Sequence, residues 1–390
     1  MDFEFDPQNE RIRHIAREIA DTVVARTAAK HDQEYSMPME TMAACHASGL
    51  FKLFMPKRFG GEEASIISGS NPYAHLIVLE EFGRVDMATA HCFQVFAHTC
   101  QLLVAAGTPQ QHDRWFPQLA AGEGLLSWTG GEPGRTARGH LNNQSIATPD
   151  GEGGYRLDGL KVYGTNATDS AWNVIALSVK DMPAPQSFLL VLVPRGAPGF
   201  EVDAQWWRPT GMRAAVSPKL LLKDIHVPSI DVLGGPGFYP SSGYGSRWHL
   251  GFAANHLGAA QGLFDFTVKY LPERGTTSNP HSQRSVGEMR MRIAAATDMV
   301  HHAAWLFSKQ EWKQADEYAL MAKLFAIETA EWMVSETIRV AGSTALLEHF
   351  PVHRMIRDIH VHSTHANLYS TAQLVGRSTL GLDFDAAQQQ

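Results

Sequence analysis

Cysteine is scarce in this 390-residue sequence, which contains only Cys45, Cys92 and Cys100. None of the three belongs to a CxxC pair, so the sequence does not predict a disulfide scaffold. We expect free thiols in a reducing compartment, and therefore a cytoplasmic protein.

Long hydrophobic runs are also missing. The longest aliphatic run, residues 188–193, is far too short to cross a bilayer. The first residues, Met1-Asp-Phe-Glu-Phe-Asp6, are acidic where a signal peptide carries positive charge. The sequence predicts a soluble protein with no membrane partner.

Positive charge is limited and is not clustered. Lys and Arg number 33 against 40 Asp and Glu, which gives a net charge of −7. Because no basic run is present, we expect no nucleic-acid partner. The GxGxxG and Walker A fingerprints are absent as well, so the sequence predicts neither a classical dinucleotide site nor a P-loop.

The spacing of apolar residues divides the chain into three regions. Residues 1–122 show helical spacing, for example at Ile12, Ile15 and Ile19. Residues 123–235 contain short β-like runs between turn signals. Residues 236–390 are helical again, with a bundle-type apolar stripe from Val286 to Phe307. This order predicts an α+β multidomain protein with a helical domain, a middle β domain and a helical bundle.

Two segments of the β region contain residues suited to a planar ligand. In residues 128–134, small residues could bring backbone N–H groups close to a ring or a phosphate, and an ordinary turn is the alternative. Residues 153–160 predict strand, turn and strand. The following segment predicts Tyr163 and Thr165 on one face of a strand, beside a heterocycle or at a half-buried edge.

Several motifs occur together, in one order along the chain. They are Gly131-Glu-Pro-Gly134, Lys161-Val-Tyr-Gly-Thr-Asn166, Thr210-Gly-Met-Arg213, Lys223-Asp-Ile-His-Val-Pro228, Glu273-Arg274, Val340-Ala-Gly342, Phe350-Pro-Val-His-Arg354 and Arg357-Asp358. As a set they resemble the motifs of the acyl-CoA dehydrogenase superfamily, over nearly the whole chain.

The resemblance implies a fold, a cofactor and an assembly. The fold would be an acyl-CoA dehydrogenase-like N-terminal α-helical domain, a middle β domain and a C-terminal four-helix bundle. Flavin, FAD rather than FMN, would lie between the β domain and the bundle of a homotetramer, with part of its site from a neighbouring subunit. The implied cofactor-binding residues are Trp128, Gly131, Tyr163, Thr165, Ser217, Arg274, Gln283 and Gly342.

The carboxylate base of the superfamily's dehydrogenases has no counterpart here. A dehydrogenase needs such a base to take the proton alpha to the thioester. One of the two family positions holds Ala366 and the other holds Ser246. The threonine of the family's Thr-Glu-Pro-Gly loop is also changed, to Gly131.

Histidines stand near the missing base. His362 and His365 are predicted on one helix face, and His91 lies on a helix of the first region. This pattern resembles the group D monooxygenase branch, which includes dibenzothiophene monooxygenase and phenol hydroxylases. An imidazole can activate a phenol or an amine near neutral pH. His365 is the predicted general acid/base, with His91 and His362 as partners.

Each histidine also has a simpler interpretation. With 19 histidines in the chain, any one can be a structural residue. A metal site is a rival interpretation of His353, His360, His362 and His365, but no Cys or carboxylate completes it at suitable spacing. We therefore predict no metal.

The predicted function is that of a flavin-dependent monooxygenase. It would use reduced flavin and O2 to oxygenate a small aromatic or amine-bearing substrate. A separate flavin reductase would supply electrons, since no nicotinamide site is apparent. The alternatives are a flavoenzyme that oxidises acyl-CoA thioesters, with or without oxygenation, and an inactive flavin-binding partner protein.

Overall fold

The computed structural model describes residues 4–134, 141–365, 367–383 and 385. Helices occupy the first region, strands the second and helices the third. This confirms the predicted fold class. The predicted domain boundaries, 1–122, 123–235 and 236–390, stay predictions; they fall in the connections between these regions.

The N-terminal region is helical because its caps and periodicity favour helices. Asp6 accepts a hydrogen bond from the Asn9 amide and begins the first helix, while Asp86 accepts one from the Thr89 amide and begins the fifth. The helices are α1 (Pro7–Ile19), continued by a π-helical turn (Ala20–Val24), α2 (Ala25–Glu34), α3 (Met39–Ser48), α4 (Tyr73–Val85), α5 (Met87–Ala106) and α6 (Pro109–Ala120).

The middle region is one mixed sheet. Its strands are β1 (Leu125–Thr129), β2 (Ile146–Pro149), β3 (Tyr155–Lys161), β4 (Ser170–Val179), β5 (Phe188–Pro194), β6 (Phe200–Asp203), β7 (Lys219–Val227) and β8 (Val232–Leu233). The order is β6-β7-β3-β2-β4-β5-β8, with β1 also paired to β4. The contacts of β4 with β1 and β2 are parallel and those of β4 with β5 are antiparallel.

The predicted turn inside residues 153–160 is wrong. Residues 155–161 form the continuous strand β3, and the turn comes earlier, between β2 and β3. The carboxylate of Asp150 accepts hydrogen bonds from the Glu152 and Gly154 amides at 2.8 and 2.9 Å, which fixes that turn. Gly159 does not form a turn; it lies where the pairing of β3 with β7 shifts its register.

The C-terminal region is the predicted bundle. Its helices are α7 (Phe238–Ser242), α8 (Trp248–Glu273), α9 (Pro280–Ser308), α10 (Trp312–Ala341), α11 (Val352–Ser363) and α12 (Leu368–Thr379). Helices α8, α9 and α10 pack pairwise, and α12 packs against α10. Most of the predicted stripe on α9, including Met289 and Phe307, is buried. Gly342 ends α10 with a φ of 73°, as predicted.

The core continues from the sheet into the helical regions. On β4, Trp172, Val174 and Ala176 join the core that contains the helices, while Ile175 and Leu177 join a smaller core on the other face. This alternation follows from the two-residue period of a strand, and it explains why β4 is buried on both faces. Among the described residues, no helix combines the length and apolarity that a bilayer span requires.

Candidate functional site

A cavity of about 600 Å³ lies where the sheet meets both helical regions. Its walls come from α5, α8, α10, the end of α11, the loops after β1 and β3, and residues 207–217. The sequence-predicted residues that line it are His91, Trp128, Gly131, Tyr163, Thr165, Ser217 and His365. Its volume falls in the range of small-molecule sites.

The loop after β1 presents bare backbone to the cavity. A Cβ atom at Gly131 would lie 3.0 Å from the carbonyl oxygen of Val162 and 3.3 Å from Cδ2 of Tyr163. The Val162 amide donates to the Gly131 carbonyl at 3.0 Å. The loops after β1 and β3 therefore approach closely, and glycine fits this contact better than the family's threonine.

The predicted strand through Tyr163 and Thr165 is wrong. Strand β3 ends at Lys161, and Tyr163 has a φ of 62°. The Thr165 amide donates to the Tyr163 carbonyl at 3.0 Å, and the Gly164 amide donates to Pro218 at 3.1 Å. These bonds form a tight turn that ends β3, after which Thr165 makes an isolated antiparallel bridge with Trp128 of β1. Both predicted side chains nevertheless line the cavity.

Glu132 is the single carboxylate among the described lining residues, and it is fully engaged. Its oxygens accept hydrogen bonds from Lys161 Nζ at 2.9 Å and from the Gln144 and Ser145 amides at 2.7 and 2.8 Å. Burial would raise its pKa, but the Lys161 charge and these bonds hold the pKa below its usual value. Glu132 is therefore an ionised structural group and not a free base.

Three imidazoles form a hydrogen-bonded chain behind the cavity wall. Nδ1 of His256 lies 2.8 Å from the carbonyl oxygen of Phe252, and its Nε2 lies 3.4 Å from Nδ1 of His362. Nε2 of His362 lies 3.1 Å from Nδ1 of His91. Nε2 of His91 ends the chain at the cavity, 3.4 Å from the hydroxyl of Thr165.

The backbone carbonyl at one end fixes the protons along this chain. A carbonyl oxygen only accepts, so neutral His256 carries its proton on Nδ1 and accepts at Nε2. His362 must then donate from Nδ1 and accept at Nε2, and His91 must donate from Nδ1. Geometry thus assigns the lone pair of His91 to Nε2, the nitrogen at the cavity.

Burial keeps these imidazoles neutral. It lowers the pKa of His91 and of His256 to about 3, and it lowers that of His362 well below its usual value. Mutual repulsion among the histidines adds to this effect. At neutral pH the chain therefore positions His91 and accepts hydrogen bonds, but it does not store a proton.

His365 is the histidine at the cavity mouth. Helix α11 ends at Ser363, so His365 lies just beyond the helix on which it was predicted, with its ring centroid 4.9 Å from that of His362. Its Nδ1 lies 3.0 Å from the His362 carbonyl and must donate, which leaves Nε2 as the basic nitrogen. His365 is exposed, yet surrounding protein and the charge of Lys323 lower its pKa.

Lys323 is a cavity residue that the sequence analysis missed. It is 1% exposed on α10, and its Nζ lies 3.2 Å from Nδ1 of His249. Burial lowers its pKa to about 8. One sequence signal points to its burial, since Lys323 lies three residues after Leu320 and four before Ile327, on the apolar stripe of α10. The groups that surround it come from α8 and the end of α11.

The Arg357-Asp358 motif holds one wall of the cavity. Arg357 forms a two-pronged ion pair with Asp32 at 2.6 and 3.1 Å. Asp358 accepts a hydrogen bond at 2.5 Å from the amide of Met212, a lining residue with a φ of 56°. A Cβ at Gly211 would collide with the Arg357 carbonyl, so only glycine lets this loop pack on α11.

Other predicted residues lie elsewhere on the chain. Arg274 is exposed at the end of α8, Gln283 donates to the Thr277 carbonyl at 3.0 Å, and Gly342 follows α10. None of the three is among the described lining residues of this chain's cavity. Their role in a neighbouring subunit's flavin site stays a prediction.

The two positions at which the superfamily places its carboxylate base correspond to Ala366 and Ser246 in this chain. Ala366 lies outside the described residues. Ser246 donates to Oδ1 of Asp316 at 2.8 Å, and Arg247 also binds this carboxylate. Both side chains are buried, away from the described cavity lining, so Ser246 has a structural environment.

The cluster does not have the arrangement of a metal centre. In the described ranges, no group of three or more His, Cys, Asp or Glu side chains is placed to hold a metal ion. Instead, the nitrogens of His91, His256 and His362 face one another at hydrogen-bonding distances. A metal would need their lone pairs to converge on one point.

Two family models match the sequence. The model described as acyl-CoA dehydrogenase, N-terminal domain, matches residues 6–123, and the model described as acyl-CoA dehydrogenase, C-terminal domain, matches residues 250–369. Together they span more than half of the chain. The chain belongs to the acyl-CoA dehydrogenase superfamily.

Members with different chemistries resemble this superfamily protein. It is 26% identical over 365 residues to acryloyl-CoA reductase (NADH) from Anaerotignum propionicum, with 92% of this chain and 90% of the relative covered. Butyryl-CoA dehydrogenase from Megasphaera elsdenii has a TM-score of 0.88 at 22% identity, with 97% of this chain and 100% of that one covered. Dibenzothiophene monooxygenase from Paenibacillus sp. A11-2, solved with FMN and indole, has a TM-score of 0.86 at 20% identity, covering 97% and 99%. These structural likenesses show the fold.

The superfamily comprises flavin-dependent oxidoreductases, and the cavity fits a flavin ring. Gly130 and Gly131 expose backbone, Trp128 supplies an aromatic surface, and the Thr165 and Ser217 hydroxyls lie 2.7 Å apart. A planar heterocycle needs this combination of open backbone, flat apolar surface and hydrogen-bonding groups. Flavin is therefore the cofactor class of this oxidoreductase.

Proposed function

We propose that this flavoenzyme is a monooxygenase that oxygenates a small aromatic or amine-bearing substrate. One observation carries the proposal. The cavity presents the basic nitrogens of His91 and His365, while Glu132, the single carboxylate among its described lining residues, is tied to Lys161. Removal of a proton alpha to a thioester calls for a free base of the kind that a carboxylate supplies in the dehydrogenases.

His365 is the proposed proton acceptor. Its Nδ1–H bond to the His362 carbonyl orients the ring and leaves Nε2 free to take a proton from a phenol or an ammonium group. The resulting imidazolium keeps the same hydrogen bond. Loss of this proton makes the substrate electron-rich, which favours attack on an electrophilic oxygen.

His91 is the proposed orienting residue. Its Nε2 lone pair is open to a donor from the substrate, because the one proton of Thr165 goes to Ser217, which itself donates to the Ala215 carbonyl. Its pKa of about 3 keeps the ring neutral. His362 and His256 hold the tautomer that exposes this nitrogen. They act through His91 and are positioning residues.

The cavity walls suit a flat substrate. When bound and reduced, flavin supplies the two electrons that allow O2 to yield oxygenated substrate and water. The chain's aromatic side chains exclude bulk water and pack on planar rings. The aromatic residues beyond Tyr163 that line the cavity are Trp128, Phe188, Trp207, Trp248 and Phe252.

The proposed holoenzyme is a homotetramer that contains FAD and receives electrons from a separate flavin reductase. The position of Arg274, Gln283 and Gly342 outside this chain's own cavity lining supports a shared flavin site. The absence of a GxGxxG fingerprint from the sequence supports an external source of electrons.

A second candidate is chemistry on an acyl-CoA thioester. The name of the acryloyl-CoA reductase relative favours it. The two candidates differ in their need for oxygen, because a dehydrogenase reduces its flavin with substrate alone. An inactive flavin-binding protein, the third alternative, would bind flavin and turn over neither class.

The test of the monooxygenase proposal is isotopic. The flavin-loaded protein is given a reductant, isotopically labelled O2 and a panel of phenols and amines, and the products are analysed by mass spectrometry. We expect one labelled oxygen atom in the product. Product oxygen derived from water, or no product from any panel member, would contradict the proposal.

A further inference from the structure

Among the described residues, Lys323 has no carboxylate partner for its buried positive charge. In the part of the chain that the structure describes, no carboxylate contacts its ammonium, which lies 3.2 Å from Nδ1 of His249 and 5.2 Å from the ring centroid of Phe252. Lys161 is equally buried, but Glu132 neutralises it at 2.9 Å. Within the described ranges, the cavity-lining Lys323 thus has no carboxylate partner, whereas the structural Lys161 has Glu132.

The described titratable groups around Lys323 add no negative charge. They are His249 and His256 on α8, and His362 and His365 at the end of α11. The charge of Lys323 helps to lower the pKa values of the last three. Buried charges are rarely left unpaired in proteins, so an anion in the cavity would complete this arrangement.

We propose that Lys323 is the anion-binding group of the cavity and that the substrate is an acidic aromatic compound, bound as a phenolate or carboxylate with its oxygen at the ammonium. This inference names the substrate class of the same cavity. Only the oxygenation of that substrate rests on the proposed function, whereas anion binding at Lys323 does not. The inference narrows that class, because a protonated amine would be repelled by Lys323.

Lys323 and His365 have complementary tasks for a phenol. The phenolic proton passes to Nε2 of His365, and the oxygen that loses it remains beside the ammonium. A nearby cation stabilises the phenolate and lowers the pKa of the bound phenol. The cavity thereby favours the electron-rich form of the ring.

The pH dependence follows from the lysine. Burial lowers the pKa of Lys323 to about 8, so the side chain is charged at pH 7 and loses its charge as the pH rises through that value. The affinity for an anion should therefore fall above about pH 8. The affinity for a neutral compound of the same shape should not change there.

The experiment compares two probes of equal shape, benzoate and nitrobenzene, by calorimetric titration of the flavin-loaded protein. We expect benzoate to bind about 10- to 100-fold more tightly at pH 7, since a charge-assisted contact has roughly that effect. Lys323→Met should remove this preference. The matched control is Lys309→Met, which changes an exposed lysine at the end of α9 and should leave the preference intact.

Equal binding of the two probes to the wild-type protein, or an unchanged preference in Lys323→Met, would overturn the proposal. If Lys323→Met does not fold, Lys323→Arg should keep the preference, and the wild-type preference should still disappear above about pH 8. A preference that persists at high pH would then overturn it. The probes need neither O2 nor reductant, so failure of oxygenation alone would count against the proposed function and not against the anion site.

Discussion

Nε2 of His362 on α11 lies 3.1 Å from Nδ1 of His91 on α5. This bond joins the helix that precedes the family's base position to a helix of the N-terminal region. Because His362 is itself fixed by His256, the bond determines which nitrogen of His91 reaches the cavity. The histidines therefore form one oriented unit.

His365→Ala should slow oxygenation about 10²–10⁴-fold, because it removes the proposed proton acceptor. The dissociation constant of flavin should stay unchanged. In the wild type, the rate should fall in acid as His365 takes up a proton, and this limb should lie below the usual imidazole range because the pKa of His365 is lowered. That acid limb should be absent from the variant.

The matched control for His365 is His360→Ala, which removes an exposed imidazole from α11, the helix that ends just before His365. It should retain wild-type rates and the wild-type pH profile. Rates and profiles that are alike in both variants and the wild type would remove His365 from the mechanism.

The free energy of unfolding should fall as the pH drops below about 6.5. Burial lowers the pKa of His75, His91 and His256 to about 3, so each takes up a proton on unfolding in acid, at a cost of ~1.4 kcal/mol per pH unit. Asp358 acts in the opposite direction, because burial raises its pKa to about 7. The histidines outnumber it, so the net effect is destabilisation.

Denaturant titrations at pH 7, 5.5 and 4.5 measure this dependence. Stability should be highest at pH 7 and lowest at pH 4.5. A free energy of unfolding that stays constant or rises over this range would show that the histidine chain is charged in the folded protein, against the tautomers assigned here.

Arg274→Ala should weaken flavin binding about 10- to 100-fold, because a fixed cation at the phosphate end contributes a charge-assisted contact. Fluorescence titration of the apoprotein with FAD and FMN measures the dissociation constants. Arg290→Ala changes another exposed arginine and should leave them unchanged.

An unchanged flavin affinity in Arg274→Ala would remove this residue from the site. Sedimentation combined with an activity assay tests the assembly, because Arg274 does not line the cavity of its own chain in the described structure. Full activity in a species that sediments as a monomer would contradict a shared flavin site.

The sequence was sufficient for the fold and for one side of the cavity. The helical spacing of the stripe through Met289 and Phe307 predicts one buried face, and that face is buried in the bundle. The loop around Gly131 and the hydroxyl of Thr165 are predictable because each belongs to a short motif, and these motifs follow one another at the expected spacing in the sequence. The strand predicted over Tyr163 is wrong because a local bond from Thr165 to Tyr163 and a long-range bond from Gly164 to Pro218 end β3 in a tight turn.

The histidine chain was only partly visible in the sequence. His91 and His362 were selected, but His256 was not, because α8 carries it among apolar residues far from both in the sequence. Lys323 was not predicted for the same reason, because α10 carries it far in the sequence from the groups that surround it. The partners that give these groups their protonation states come from α5, α8, α10 and α11, and no local pattern records such contacts.

The visible absorbance of the bound flavin, followed without oxygen during addition of a panel of acyl-CoA thioesters, tests the central claim most directly. If the imidazoles have replaced the carboxylate base and the enzyme is a monooxygenase, the absorbance should persist, and turnover should require both a reductant and O2. Rapid bleaching by an acyl-CoA, in the wild type and equally in His365→Ala, would contradict this account and identify a dehydrogenase with its base elsewhere.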